Sequence, residues 1–395
     1  MKIVHISTYP NGGAGNATIR MHKSLLENGV DSKVITRDYT LDNEGVKAFN
    51  ASVWFRKVST LWKMIKILPN IYKADEECEG FSSPLSLYHV HEHKDVKEAD
   101  VVIVQWVSNF LDYSTFFEKI NKPVYLYLHD MNHFHGGFHY SGDVNRFTQY
   151  QKLESLFKKI KGKAYTGKDI EVLAPSQWMI DLSQKSELLG GFPHHKMFYG
   201  LDPQRVKYHE QSVARTLFNL PEQGRVLLFV SERISNRRKG ATLLIEALKK
   251  VKFSENISIL VVGNYDKSIF DAENVYTTGV LKSEKEMSMA YSASDLFILP
   301  SLEDNMPNVM LESLYCGTPV MSFSNGGMKE IINERNGIII SELGVDALAE
   351  GIQQWVDHPP VFDRKQIRKE ITETFNLKTR GEALKTLINK RLQTI

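Results

Sequence analysis

Short apolar runs, each bounded by polar turns and followed by amphipathic stretches, recur along the chain. Residues 100–106 (DVVIVQW), 123–128 (PVYLYL), 171–175, 225–231 (RVLLFVS), 257–262, 296–299 and 320 onward are near-continuously apolar, the pattern of parallel strands covered on both faces. Residues 2–8 alternate and enter a polar stretch, 9–16, holding Gly12, Gly13 and Gly15. Beyond it Ile19, His22, Leu25 and Leu26 share one helical face, and Gly29 closes that helix. Strand alternating with helix through the whole length predicts an α/β protein with parallel sheets.

The stretch 295–323, DLFILPSLEDNMPNVMLESLYCGTPVMSF, is the most informative. It reads as a strand, an acidic loop, a helix and a second strand. Pro307 suits the first helical turn, Gly317 the residue just past the helix end, and Pro319 stops any continuation. The loop carries Glu303 and Asp304, and the second helical turn carries Glu312. Acids so placed can hold two hydroxyl-bearing rings while the N–H groups at the helix start face a phosphate, as a nucleotide-sugar site requires. The plainer alternative is an acid pair complementing the helix dipole. Residues 225–248 add a strand, a cationic loop (ERISNRRK) and a helix from near Gly240, a second arrangement suited to an anion. The glycine loop after the first strand is of the same kind. It fails as a dinucleotide fingerprint, because its spacing is G-G-x-G and no acid ends the second strand.

Asp304, seven residues, Glu312 and then CGTPV together resemble the signature of retaining GT-B glycosyltransferases of family four. The run EDNMPN, and the run HDM…GG.HYSG after residue 128, resemble a subgroup that assembles bacterial surface polysaccharides. The resemblance implies two Rossmann-like domains facing each other across a cleft. Residues 1–203 form the acceptor side, with 377–395 crossing back onto it as a helix, and 204–376 bind the donor. It places ribose hydroxyls on Glu312, with Asn305, Met306, Pro307 and Asn308 at the helix start. Hydroxyls of the transferred sugar fall to Asp304 or its rival Glu303. Diphosphate falls to Lys239 and Arg233, with Arg237 and Arg238 as alternatives. His129 contacts the donor sugar, and Gly12 and Gly13 abut sugar and pyrophosphate. Val280 and Leu281, in the segment 275–281, read the base. Gly326, Gly327 and Glu330 form a GG..E element followed by a helix over the donor. The chain departs from the family pattern in several places. Asp304 stands where Glu is usual, and Arg233 lies six residues before Lys239 rather than five. Phe138 and Val144 replace cysteines, and Gln105-Trp106 replaces a frequent His-Trp, which implies a different acceptor.

Composition narrows the picture further. The chain has 395 residues, enough for two domains with real cores. Its net charge of +2 offers no global attraction for nucleic acid. The two cysteines, Cys78 and Cys316, make no disulfide framework. The first residues read directly as a strand rather than a leader, and no apolar run is long enough to span a bilayer. A cytoplasmic protein is expected. In residues 54–68, Trp54, Phe55, Val58, Leu61, Trp62 and Ile65 fall on one helical face, with Arg56, Lys63 and Lys66 opposite. That helix either packs on the first domain's sheet or makes peripheral contact with the inner membrane surface. Residues 151–169 read as a lysine-rich helix with a solvated face. The four histidines 129, 133, 135 and 139 lack the spacing of a helical metal site, so no metal and no cofactor are expected. The resulting expectation is transfer of a sugar from a nucleotide-sugar, a UDP-sugar, to a glycan or lipid-linked acceptor. A sugar-nucleotide epimerase of the same shape and a non-catalytic nucleotide-sugar-binding protein are the alternatives.

Overall fold

The computed structural model describes residues 1–38, 45–49, 57–58, 78–231, 236–253, 256–263, 274–281 and 283–394. The amphipathic stretch 54–68 falls almost wholly outside them. The chain divides into two compact units, Met1–Gly200 with Asn376–Ile395, and Leu201–Phe375.

In the first unit β1 (Lys2–Ser7), β2 (Asp31–Thr36), β3 (Val46–Ala48), β4 (Val101–Val104), β5 (Val124–Tyr127), β6 (Ile170–Ala174) and β7 (His194–Lys196) form a parallel sheet. Its order is β3-β2-β1-β4-β5-β6-β7, with the reversal of a Rossmann-like sheet between β1 and β4. The apolar runs of β4 and β5 are buried at every position, as two-sided coverage demands. β1 corrects the alternation expected of it. It is a central strand, between β2 and β4, and is buried on both faces from Ile3 onward, so even His5 and Ser7 are fully buried. The short edge strands β3 and β7 carry too few apolar residues to announce themselves in the sequence.

The helix after β1 also differs from expectation. It spans Gly12–Glu27, so Gly13 and Gly15 lie in its first turns rather than in a loop. Asn11, with extended backbone, precedes it; glycine is tolerated there because the opening amides have no intrahelical partner to lose. The final helix, Leu377–Leu392, packs along it. Asn28 Nδ2 donates to Lys378 O and Lys385 Nζ to Asn28 O, each at 2.8 Å. At its far end Arg391 reaches Val124 O, Asp169 and Glu171. The expected crossing of the last helix back to the first unit is present.

The second unit holds β8 (Arg225–Ser231), β9 (Ile257–Gly263), β10 (Val275–Thr277), β11 (Leu296–Leu299), β12 (Val320–Phe323) and β13 (Gly337–Ile340). They are parallel, in the order β10-β9-β8-β11-β12-β13. The helix between β11 and β12 spans Asn308–Tyr315, with Pro307 capping it from one residue outside. Its end is set by Gly317 at φ +76°. Thr318 N–H donates to Ser313 O and Gly317 N–H to Leu314 O, each at 2.9 Å, the paired bonds of a Schellman termination. One expectation fails here. The GG..E element itself ends in a three-residue 3-10 turn, Met328–Glu330, and no helix follows it before the chain enters β13. Asn333, Asn336 and Ile331 bond among themselves, and these side-chain bonds compete with helix formation.

Candidate functional site

In the second unit the cationic turn after β8 meets the acidic loop after β11. Residues 237–239 form a 3-10 turn capped by the Asn236 side chain, and Gly240 at φ +71° starts the helix Ala241–Leu248. A Cβ on Gly240 would lie 1.9 Å from Pro300 O, so only glycine lets the turn approach the end of β11 this closely. That approach brings Lys239 Nζ to 2.6 Å and Arg238 Nη1 to 3.1 Å from Asp304 Oδ2. Arg238 also donates to the Glu303 carbonyl at 2.7 Å. Burial raises the Asp304 pKa, but the two cations outweigh it and hold the carboxyl below its ordinary range. Asp304 Oδ1 accepts from Asn305 N at 3.1 Å, and its backbone carbonyl accepts from Gly327 N at 3.0 Å. Arg238 is 11% and Lys239 38% exposed at the side chain, so only the lysine presents much charge to solvent.

Other sequence-selected residues gather on the same loops. Glu303, Asn308 and Glu312 are half-buried, while Asn305, Met306, Pro307, Gly326 and Gly327 are buried. Glu330 is half-buried in the 3-10 turn. Val280 is exposed and Leu281 half-buried just beyond β10. Arg233 lies outside the described residues.

In the first unit the loop after β5 carries His129 to Tyr140, and Gln105 meets two of its histidines, His129 and His133, as well as His5. His129 Nε2 meets Gln105 Oε1 at 2.7 Å, and Gln105 Nε2 reaches His5 Nδ1 at 2.9 Å. His133 Nε2 donates to Gln105 O at 2.8 Å, His135 lies beside Glu154, and His139 meets Asp130. Burial drops the pKa of His129 to about 3 and of His133 to about 4. Among the described residues, no group of three or more His, Cys, Asp or Glu is arranged to hold a metal ion.

The helix Gln151–Tyr165 has the expected solvated face, with Lys152, Lys159 and Lys163 exposed, but its opposite face is buried and charged. Glu154 is 3% exposed and Lys161 is fully buried. The Glu154 carboxylate accepts from Gly136 N at 2.6 Å, Gly137 N at 2.7 Å and Phe138 N at 3.3 Å. Burial raises its pKa; His135 and these amides outweigh that and set it at about 2. Lys161 Nζ donates to Asn132 O, Asn132 Oδ1 and His135 O at 2.5, 3.1 and 3.0 Å. Burial brings its pKa down to about 7. The two side chains clamp the histidine loop from beneath. Their signal was the spacing of Glu154, Phe157, Lys161 and Ala164 along one face, which the surrounding lysines obscured.

Residues 224–358 match the family described as Glycosyl transferases group 1. The putative teichuronic acid biosynthesis glycosyltransferase TuaC of Bacillus subtilis is 26% identical over 238 residues, 60% of this chain and 58% of that protein. A D-inositol 3-phosphate glycosyltransferase of Salinispora arenicola is 27% identical over 33% of each chain. The matches thus span less than two thirds of these relatives' length. Sucrose-phosphate synthase from Thermosynechococcus elongatus has the same fold along 100% of both chains, with a TM-score of 0.73 at 16% identity. Anabaena HepE, solved with UDP and glucose, aligns with 99% of this chain and 100% of its own at a TM-score of 0.65 and 15% identity. Residues 224–358 therefore match the Glycosyl transferases group 1 family, in a chain that has the fold of GT-B glycosyltransferases.

Proposed function

We propose that the chain transfers a sugar from a nucleotide-sugar donor, a UDP-sugar, to a glycan or lipid-linked acceptor in cell-surface polysaccharide synthesis, with retention of anomeric configuration and without a metal. The observation that carries this reading is the convergence of Lys239 and Arg238 on Asp304 beside the start of a helix. Two cations side by side repel, and the buried carboxylate offsets that repulsion and fixes both heads. Departure of a nucleoside diphosphate develops negative charge, which such prepositioned cations stabilise without reorganisation. Asp304 then acts chiefly as the anchor of the cations. Half-buried Glu303 takes the hydroxyls of the transferred sugar, and Glu312 the ribose. HepE's UDP and the teichuronic acid assignment of TuaC support the choice of donor and of pathway class.

The test is thermal stability with a panel of nucleotides, sugar nucleotides and NAD, in chelator. Ligand stabilisation scales with concentration over dissociation constant. UDP and one UDP-sugar are expected to raise Tm, and Lys239→Ala to abolish the shift. A shift with NAD alone, or only after metal is restored, overturns the proposal.

A further inference from the structure

The first unit places two aromatic rings at the reversal point of its sheet. Tyr9 lies two residues beyond β1 and Trp106 two beyond β4, and the strand order turns between those two strands. Open parallel sheets bind ligands at this point, outside the carboxyl ends of the strands. The rings lie 6.0 Å apart with planes 31° from one another, both half-buried. Arg37, one residue beyond β2, stacks 5.0 Å over Tyr9 and donates to its hydroxyl at 2.8 Å.

Behind Trp106 runs a chain of short hydrogen bonds. Its indole N–H donates to Asp130 Oδ2 at 2.7 Å, and that oxygen accepts from His139 Nδ1 at 2.5 Å. His139 Nε2 then accepts from Ser82 Oγ at 2.6 Å, and Ser82 Oγ meets Ser108 Oγ at 2.5 Å. The connectivity is that of a Ser–His–Asp nucleophile, but the surroundings are not. Ser82 is 3% exposed. Its own N–H is spent on Gly137 O and that of Ser83 on Asn109 Oδ1, which removes the nearby amides from stabilising an oxyanion. What the chain does is hold the indole in one orientation. Asn109, in the left-handed region at φ 53°, extends the network by donating from Nδ2 to Ser108 Oγ at 3.3 Å.

We propose that Tyr9 and Trp106 form the wall of a subsite for one pyranose ring of the acceptor. Asp130, His139 and Ser82 are its positioning residues. An apolar ring face bordered by the Tyr9 hydroxyl and the Arg37 guanidinium suits a sugar, whose axial C–H face is apolar and whose rim is all hydroxyls. The proposal rests on the glycosyltransferase reading above.

The experiment is saturation-transfer NMR on the full chain with methyl glucoside, galactoside, mannoside and N-acetylglucosaminide, and with uridine as an aromatic control. A UDP thermal shift is measured in parallel. One or more pyranosides are expected to receive saturation on their C–H face. Trp106→Ala should reduce this about tenfold, the size expected for one lost aromatic contact, with the UDP shift intact. Trp106→Phe should restore most of it, and Tyr9→Ala is a second variant should Trp106→Ala unfold. For the brace, His139→Gln should raise the acceptor KM while kcat and the UDP shift hold. Equal saturation in wild type and Trp106→Ala, none in the wild type, or transfer to uridine alone overturns the subsite. No UDP shift in the wild type overturns the donor reading instead, and the acceptor assignment with it.

Discussion

Two charged centres, one in each unit, are built on opposite principles. Beneath the histidine loop Glu154 and Lys161 are buried, and their hydrogen bonds run mostly to backbone. On the cationic turn Lys239 is 38% exposed and bonds a single carboxylate oxygen. A buried ion whose capacity is used up by the chain gives shape to a loop. A cation held by one partner in reach of solvent can still meet an incoming anion. The sequence shows both as lysines and acids near loops; only environment separates the structural pair from the one proposed to meet the donor.

The largest expected break of this contrast comes from Lys239→Ala. Turnover of the preferred UDP-sugar should fall about 100-fold or more, the usual loss when a group stabilising developing charge is removed. Tm should hardly move, since the lost pair is partly exposed. Steady-state release of UDP, beside a thermal melt, checks both halves. Glu154→Ala should do the reverse. It strands up to three buried N–H donors and should cost on the order of 3 kcal/mol in denaturant unfolding, with activity lost only in step with the loop. If Glu154→Ala leaves the unfolding midpoint unchanged, the clamp is not structural.

Acid separates the units next. His129 and His133 titrate near 3 and 4 when folded and near the ordinary 6.5 when unfolded. Between these values the unfolded chain binds more protons, so stability of the first unit falls as pH drops from about 6.5 towards 4. Glu154 adds to the loss from about 4.5 down to its folded value of about 2. Lys161 acts at the other end. Its folded pKa of about 7 lies below the ordinary lysine value, so stability rises with pH above neutrality as the folded state sheds that proton first. Denaturant midpoints at pH 5, 7 and 9 should therefore climb in order, and Lys161→Met should flatten the upper half of the climb. The smallest effect is expected from Lys158→Ala. Its ammonium is 3.6 Å from Glu154 but 37% exposed, and its loss should cost under about 0.5 kcal/mol.

How much of this was legible in the sequence depends on the scale of the cause. The central strands β4, β5, β8, β11 and β12, and the termination at Gly317, followed from local patterns, because two-sided burial demands apolar runs and a left-handed residue demands glycine. Lys239, Gly240 and Asp304 were found through their spacing within strand–loop–helix units. The edge strands β3 and β7 were not, being short and half-covered, and the glycine stretch 12–15 became helix because its amides needed no partner. Gln105 as the bridge between His5, His129 and His133 was invisible, since its partners lie up to 100 residues away in the chain.

By itself, then, the sequence determined the layered α/β architecture and, through its family resemblance, the return of the last helix to the first unit and the residues proposed here for a nucleotide-sugar site. Periodicity and turn chemistry act over a few residues and are written locally. Tertiary structure alone decided that Asp304 anchors two cations, that Glu154 and Lys161 face inward, and that Tyr9 and Trp106 stand side by side at the sheet's reversal. Those outcomes depend on burial and on contacts between distant segments, and the same side chain in water would behave otherwise.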